Sequence, residues 1–122
     1  GGIGAAIKTQ SIIVLDKRCF TDAQKEAKLY DQNGLCAYDD KKLLYADAEG
    51  HHNIAFSKGK EAGGYTSGEE GYKNLKMVRA CWNKVMGSMS IEEYKKSINM
   101  MKENKNKKNE IDELIEDDGD ND

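Results

Sequence analysis

The sequence predicts a small α+β domain. Thr21 is followed three residues later by Gln24, which is the capping-box pattern of a helix start. Ser90 and Glu93 repeat this pattern later in the chain. Between them, the stretch "NLKMV", which begins at Asn74, alternates apolar and polar residues as a half-buried strand does. These signals indicate helices before and after a strand-bearing centre.

Length and composition limit what the chain can be. Its 122 residues suffice for one domain with a modest core. The longest apolar stretch, "SIIVL" at Ser11–Leu15, is far shorter than the roughly 18 residues that span a bilayer, so we expect no membrane partner. The start, "GGIGAAIKTQ", has neither an initiator Met nor the layout of a signal peptide, and the three cysteines form an odd set. We therefore expect an intracellular protein, cytoplasmic or associated with a phage or virus, that is a part of a longer chain or complex.

Charge is divided unevenly along the chain. The formal net charge is −3, yet the last stretch, Glu110–Asp122, carries eight acidic residues and no basic one. Positions 1–109 therefore carry a net charge of +5. A basic body is attracted to phosphate, and an acidic tail competes for the same surface. The alternative is a body of ordinary charge with a disordered, solubilising tail.

The first part of the chain predicts a strand, a helix and a turn. "SIIVL" is typical of a short buried strand. The helix that begins after Thr21 is expected to end before Gly34, which suits the C′ position. The following segment, "NGLCAYDDKKLLY", indicates a turn-bearing, hairpin-like structure.

The second part predicts a ββα unit between loops. "EGHHNIAF" is expected to be extended, and the five glycines in Ser57–Lys73 predict a loop. "NLKMV" is the second strand, and "RACWNKVMG" can form two helical turns. The last helix is expected to run from Ser90 to about Glu103, with its apolar residues at helical spacing. We accordingly divide the chain into an N-terminal strand and linker (1–19), a domain (20–103) and a disordered Lys/Asn run with an acidic tail (104–122).

The only two histidines of the chain are adjacent, at His51 and His52. On an extended segment, neighbouring side chains point to opposite faces, so at most one of the two can fill a core. The other requires a polar partner, solvent or a chemical role.

The central unit resembles the HNH nuclease family, also called the ββα-metal or His-Me finger family. The resemblance covers about residues 20–90 and rests on "EGHHNIAFSKG", "GGYTS", "NLKMV" and "RACWNKVMGS". Its most specific point is the interval of nine residues between Asn74 and Asn83. The fold that it implies is a small ββα-metal domain with flanking helices and a disordered acidic C-terminal tail.

The resemblance implies metal-dependent hydrolysis of phosphodiester bonds in DNA. This reaction needs a base that takes a proton from the attacking water, and a cation beside the negative charge that develops on the phosphate. His52 would be the general base, and Asn74 would hold the loop and orient His52. His51 and Asn83 would hold one divalent metal ion, Mg²⁺ or Mn²⁺ first, with Zn²⁺ or Ni²⁺ as alternatives.

The chain departs from the family at the zinc knuckles. Cys36 keeps the first place of one knuckle, but Asp39 stands in the second place. In the other knuckle Arg79 and Trp82 replace cysteines, and Cys81 is one position out of register. A closed zinc site requires four N or S ligands, so we expect no structural zinc. Cys36 and Trp82 are expected to pack in its place.

Basic residues near the histidines are candidate phosphate contacts, which supply affinity without reading bases. These candidates are Lys58, Lys60, Lys73, Lys76, Arg79 and Lys84. Two other interpretations remain open: a catalytically inactive nucleic-acid-binding module on the same scaffold, and an assembly piece of a larger particle.

Overall fold

The computed structural model describes residues 17–120, with side chains through residue 114. The described residues form two units, 17–90 and 91–120. Together they contain four α-helices and a two-stranded antiparallel sheet, which confirms the α+β class. The predicted strand at Ser11–Leu15 lies outside the described residues.

Helix α1 spans Asp22–Asp31 and begins with the predicted capping box. Thr21 Oγ1 accepts the Gln24 N–H at 3.2 Å, and Gln24 Oε1 accepts the Thr21 N–H at 2.8 Å. At the other end, Asn33 takes the left-handed conformation with φ 59° and fills the C′ position. The prediction that Gly34 is C′ is therefore wrong by one residue, since Asn tolerates this conformation too.

A hairpin-like turn follows α1, as predicted. Leu35 pairs with Lys42 in an antiparallel bridge, and the Cys36 N–H donates to the Lys41 carbonyl at 2.8 Å. Gln32 then attaches this region to the sheet, because its carboxamide both accepts the Met77 N–H and donates to the Met77 carbonyl, each at 2.9 Å. One side chain thus satisfies backbone groups at an edge of the sheet.

The two predicted strands and the helix that follows them are present in the central unit, with a further helix between the strands. Strand β1 (Ala48–His52) pairs antiparallel with β2 (Leu75–Arg79), and helix α3 (Ala80–Met86) follows β2 directly. In this register His51 lies opposite Lys76 and His52 lies opposite Leu75. Because side chains alternate along a strand, the two histidines point to opposite faces of the sheet.

The glycine-rich segment contains a helix that the sequence did not predict. Helix α2 spans Gly68–Asn74, within the stretch predicted to be loop. A tertiary contact explains the difference: the Tyr72 hydroxyl donates to an Asp31 carboxylate oxygen, and Lys28 Nζ lies 3.8 Å from the centre of the Tyr72 ring. This hydrogen bond and burial raise the pKa of Tyr72 to about 12. Anchoring on α1 thus stabilises a helix that its own composition disfavours.

The core of the first unit lies on and around β2. Leu75, Met77 and Val78 are fully buried there. Gly50 of β1 lets this core close, since a Cβ atom at that position would lie 2.9 Å from Leu75 Cδ1 and 3.1 Å from Phe20 Cδ2. The remaining buried apolar residues of this unit are Phe20, Cys36, Leu43, Ala55 and Met86.

The second unit is helix α4, Ile91–Asp120. It begins directly after Ser90, as predicted, but it continues past Glu103 through the segment predicted to be disordered. Lys and Glu are good helix formers, and neither glycine nor proline interrupts the chain before Gly119, so local chemistry permits the extension. Among the described residues, no helix is long and apolar enough to cross a membrane.

Candidate functional site

His51 is buried, with 2% of its surface exposed, and both of its ring nitrogens face an acceptor oxygen. Nε2 lies 2.8 Å from the backbone carbonyl oxygen of Met89, and Nδ1 lies 2.8 Å from Oδ1 of Asn83. The other end of the Asn83 carboxamide donates to Glu49 Oε2 at 3.1 Å, which fixes its orientation. The predicted pair of metal ligands therefore converges.

The hydrogen-bond partners of His51 and Asn83 leave two acceptor atoms facing each other. A carbonyl oxygen can only accept, so Nε2 of His51 donates to Met89. In a neutral imidazole, Nδ1 then carries a lone pair that faces the lone pairs of Asn83 Oδ1. A metal cation bound by both atoms would replace this repulsion with two coordinate bonds.

His52 lies on the other face of β1 and is partly exposed. Its ring packs against Phe20, with 4.2 Å between ring centres, and edge-on against Phe56 at 5.8 Å. Its Nε2 lies 2.7 Å from the Thr66 hydroxyl oxygen. These contacts restrict the ring.

Asn74 ends α2 and holds the glycine-rich segment closed. Its Oδ1 accepts the Ile54 N–H at 2.7 Å, while its Nδ2 donates to the carbonyls of Ile54 at 2.9 Å and Tyr65 at 3.0 Å. These contacts support the expectation that Asn74 holds the loop. Thr66, on the segment that Asn74 holds, lies within hydrogen-bond distance of the ring of His52.

A pocket of about 190 Å³ joins the predicted residues, since His51, His52 and Asn83 all line it. Arg18 also lines this pocket, and it lines the adjoining pocket of about 340 Å³ together with His52 and Asn83. Its guanidinium carbon lies 6.0 Å from the centre of the Phe56 ring. A guanidinium group can donate two parallel hydrogen bonds to phosphate oxygens.

Three residues of the site were not predicted: Arg18, Glu49 and Thr66. A signal for Arg18 existed, because it is one of only two arginines in a lysine-rich chain. A signal for Glu49 existed too, because strand alternation places it on the same face as His51. Thr66 lies in "GGYTS", one of the stretches that carry the resemblance, but no role was assigned to it there.

The six predicted phosphate contacts are dispersed. Lys73 is paired with Glu69 and Glu70, and Arg79 donates to the Lys42 carbonyl at 3.1 Å. Lys73 and Lys76 line a separate pocket beside Asn74. Lys58, Lys60 and Lys84 are exposed. None of the six lines the pocket that His51 and His52 share.

A hydrogen-bonded cluster forms around Asp39, in the region where the resemblance would place the zinc knuckles. Trp82 Nε1 donates to Asp39 Oδ2 at 3.0 Å, and the Trp82 ring stacks on Tyr38 at 4.1 Å. Burial acts to raise the pKa of Asp39. Hydrogen bonds from the Lys41 N–H, the Trp82 indole and the Cys36 thiol, with the charge of Arg79, outweigh burial and lower it overall.

Comparison with models of known protein families, with curated protein sequences and with solved structures gives no match to this chain. Among residues 17–120, no three His, Cys, Asp or Glu side chains are grouped as metal ligands. A cation at this site would therefore be held by the mixed pair His51 and Asn83, with water in its other positions.

Proposed function

We propose that this protein is a metal-dependent endonuclease of the HNH type that hydrolyses phosphodiester bonds in DNA. The observation that carries the proposal is the 2.8 Å separation of His51 Nδ1 and Asn83 Oδ1, with their remaining polar atoms directed to Met89 and Glu49. His52 adjoins this pair and lines the same pocket.

The ligand pair fits a divalent cation. Neighbouring ligands of an octahedral Mg²⁺ site lie about 2.9 Å apart, because each bond is about 2.0–2.1 Å long. The 2.8 Å between the two atoms is close to this spacing. One imidazole and one amide oxygen suit Mn²⁺, Zn²⁺ or Ni²⁺ as well as Mg²⁺, and this donor set does not decide between them.

The residues of the chain divide the chemistry between the two faces of β1. Bound at His51 and Asn83, the cation would supply positive charge beside the phosphate and the leaving oxygen. His52 would take the proton of the attacking water, since a neutral imidazole is available near pH 7. The aromatic contacts with Phe20 and Phe56 keep its ring from turning away.

Arg18 would position the substrate. It lies at the junction of the two pockets that His52 and Asn83 share, where its guanidinium can bind a backbone phosphate next to the base. The net charge of +5 over positions 1–109 favours a polyanion such as DNA. Phosphate contacts of this kind attract the backbone without selecting a sequence.

The test is cleavage of supercoiled plasmid with Mg²⁺ or Mn²⁺. We expect nicked or linear product, loss of product with EDTA, and a reduction of at least about a hundredfold in His52→Ala, since general-base catalysis contributes about 10²–10⁴-fold. Lys41→Ala, at an exposed position outside the pocket, is the matched control and should cleave nearly as fast as the wild type. Intact plasmid across metals and pH would remove the catalytic claim.

A second function is favoured by one observation: His51 is almost completely buried and hydrogen-bonded through both nitrogens. With these two contacts, His51 would act as a structural pin on a non-catalytic DNA-binding module. Titration with Mn²⁺, followed by EPR, separates the two functions. The endonuclease predicts one site that Asn83→Leu weakens at least about tenfold; the binding module predicts no specific site and DNA binding that survives His52→Ala.

A further inference from the structure

Glu49 places a carboxylate in a pocket where we propose that DNA phosphate binds. It lines the pocket of about 340 Å³ together with Arg18, His52 and Asn83. A carboxylate repels a phosphate group, so Glu49 does not serve the attraction of DNA. Its hydrogen bond indicates a different role, because Oε2 of Glu49 accepts from Nδ2 of Asn83 at 3.1 Å.

The sheet sets the distance between these two side chains. Glu49 lies in β1, where it is paired with Val78 of β2, and Asn83 lies on the helix that follows β2 directly. Strand alternation directs the side chain of Glu49 to the same face as that of His51, two positions later. The carboxylate, the carboxamide and the imidazole are therefore brought together by one ββα unit.

The carboxamide of Asn83 can take two orientations of nearly the same shape. In the structure, Oδ1 lies 2.8 Å from His51 Nδ1, and Nδ2 is turned to Glu49. The reversed orientation would place the NH₂ group against His51 Nδ1, where the cation would bind, and Oδ1 against the carboxylate. Because a carboxylate can only accept hydrogen bonds, the reversed orientation leaves two acceptors facing each other at Glu49. Glu49 therefore favours the orientation that presents Oδ1 to a cation.

We propose that Glu49 is the positioning residue of the cation site: it holds the NH₂ group of Asn83 away from His51, so that Oδ1 is available as a ligand. The proposal rests on the proposed function, since it requires a cation at His51 and Asn83. Without the carboxylate, the carboxamide can turn over and donate to His51 Nδ1, which closes the site to the cation.

The first test is the affinity of the full chain for Mn²⁺, without DNA, measured from the EPR signal of free Mn²⁺. Glu49→Leu should weaken binding about tenfold to a hundredfold, the usual effect of losing the partner of a metal ligand. Glu49→Gln keeps an acceptor oxygen for Asn83 and should stay within about threefold of the wild type. Glu61→Leu, at an exposed position that lines neither pocket, is the matched control and should bind as the wild type does.

The second test repeats Glu49→Leu in an Asn83→Asp background. Both ends of an aspartate are oxygens, so the orientation of residue 83 no longer matters, and the affinity for Mn²⁺ should change by less than about twofold. An equal loss in both backgrounds would show that Glu49 binds the cation directly or acts by its charge, and would overturn the proposal. Unchanged affinity in a folded Glu49→Leu, or in Glu49→Ala where Glu49→Leu does not fold, would overturn it too.

Plasmid cleavage by the same proteins separates this proposal from the proposed function. A Mn²⁺ site that depends on Glu49 in a protein that never nicks DNA overturns the endonuclease and leaves the positioning role intact. Cleavage by the wild type, together with unchanged Mn²⁺ affinity in Glu49→Leu, overturns the positioning role alone. A wild type without a Mn²⁺ site overturns both.

Discussion

The carboxamide of Asn74 joins three backbone groups on two segments that flank the site. It is 6% exposed, and its partners are the N–H and carbonyl of Ile54 and the carbonyl of Tyr65. A buried group that loses its partner costs about 1–3 kcal/mol, so the effects of one substitution accumulate here. Asn74 thus acts on the site chiefly by shaping the segment that carries Thr66.

We expect Asn74→Ala to lower the free energy of unfolding by about 2–4 kcal/mol, because it leaves three buried backbone groups without their partner. Urea unfolding followed by the fluorescence of Trp82 measures the change. Asn99→Ala, at an exposed position of α4, should stay within about 0.5 kcal/mol of the wild type. A similar result for Asn74→Ala would show that these hydrogen bonds are readily replaced by water.

At the scale of elements, helix α2 requires two glycines for different reasons, one steric and one conformational. A Cβ atom at Gly71 would lie 2.1 Å from the carbonyl carbon of Thr66, which is backbone and cannot move aside. Gly68 has φ +69° with no atom within 4 Å of its added Cβ, so its constraint is conformational alone.

We therefore expect Gly68→Ala to cost about 1–2 kcal/mol, the penalty of a left-handed residue. Gly71→Ala should cost at least about 2 kcal/mol more, because it forces α2 away from Thr66. Thermal unfolding of the two variants measures the difference. Equal melting temperatures would contradict the tight packing of α2 on that carbonyl.

The stability of the turn at Cys36–Lys42 is expected to depend on pH through the carboxylate of Asp39. Because the pKa of Asp39 is lower in the folded chain than its ordinary 3.8, the charged carboxylate stabilises the fold. This contribution is complete well above pH 3.8 and is lost as the pH falls below 3.8 through the folded value. Asp39→Asn should flatten the acid limb of a stability–pH curve, as measured by urea unfolding at about pH 6, 4 and 3. A variant limb as steep as that of the wild type would assign acid sensitivity to other carboxylates.

The sequence predicted the helices and strands whose formation depends on residues that are close together in the chain. Thr21 with Gln24, and the alternation after Asn74, specify α1 and β2 through neighbouring residues, so both were found. Helix α2 was missed because it depends on Tyr72 meeting Asp31, 41 positions away. The pairing of His51 with Asn83 was expected from a resemblance. The resemblance also covers Thr66, but the contact of Thr66 with His52 depends on how the segment between them folds.

At the scale of the whole molecule, charge separates the basic body from the acidic end. The eight carboxylates of positions 110–122 offset the +5 of the preceding residues. In the DNA-binding function that we propose, they compete with phosphate, and salt screens that competition over a Debye length of about 10 Å at 0.1 M.

Replacing these eight residues with Asn and Gln should therefore strengthen DNA binding near 50 mM salt, with a smaller gain near 200 mM. Fluorescence anisotropy with a labelled duplex measures both affinities, and the full chain length is kept. Equal affinities for the two proteins at both salt concentrations would show that the tail does not compete with DNA.

The register of β1 has a consequence for how the chain tolerates insertions and deletions. Slipping a strand by one position inverts the direction of each of its side chains. With His51 and His52 as neighbours, either slip still delivers an imidazole to one face, while the opposite face receives Gly50 or Asn53 instead. A slip of one position in the register of β1 would thus remove one of the two imidazoles from its face and keep an imidazole on the other face. Insertion or deletion of a single residue in β1 is therefore a way to separate cation binding from proton removal in the same protein.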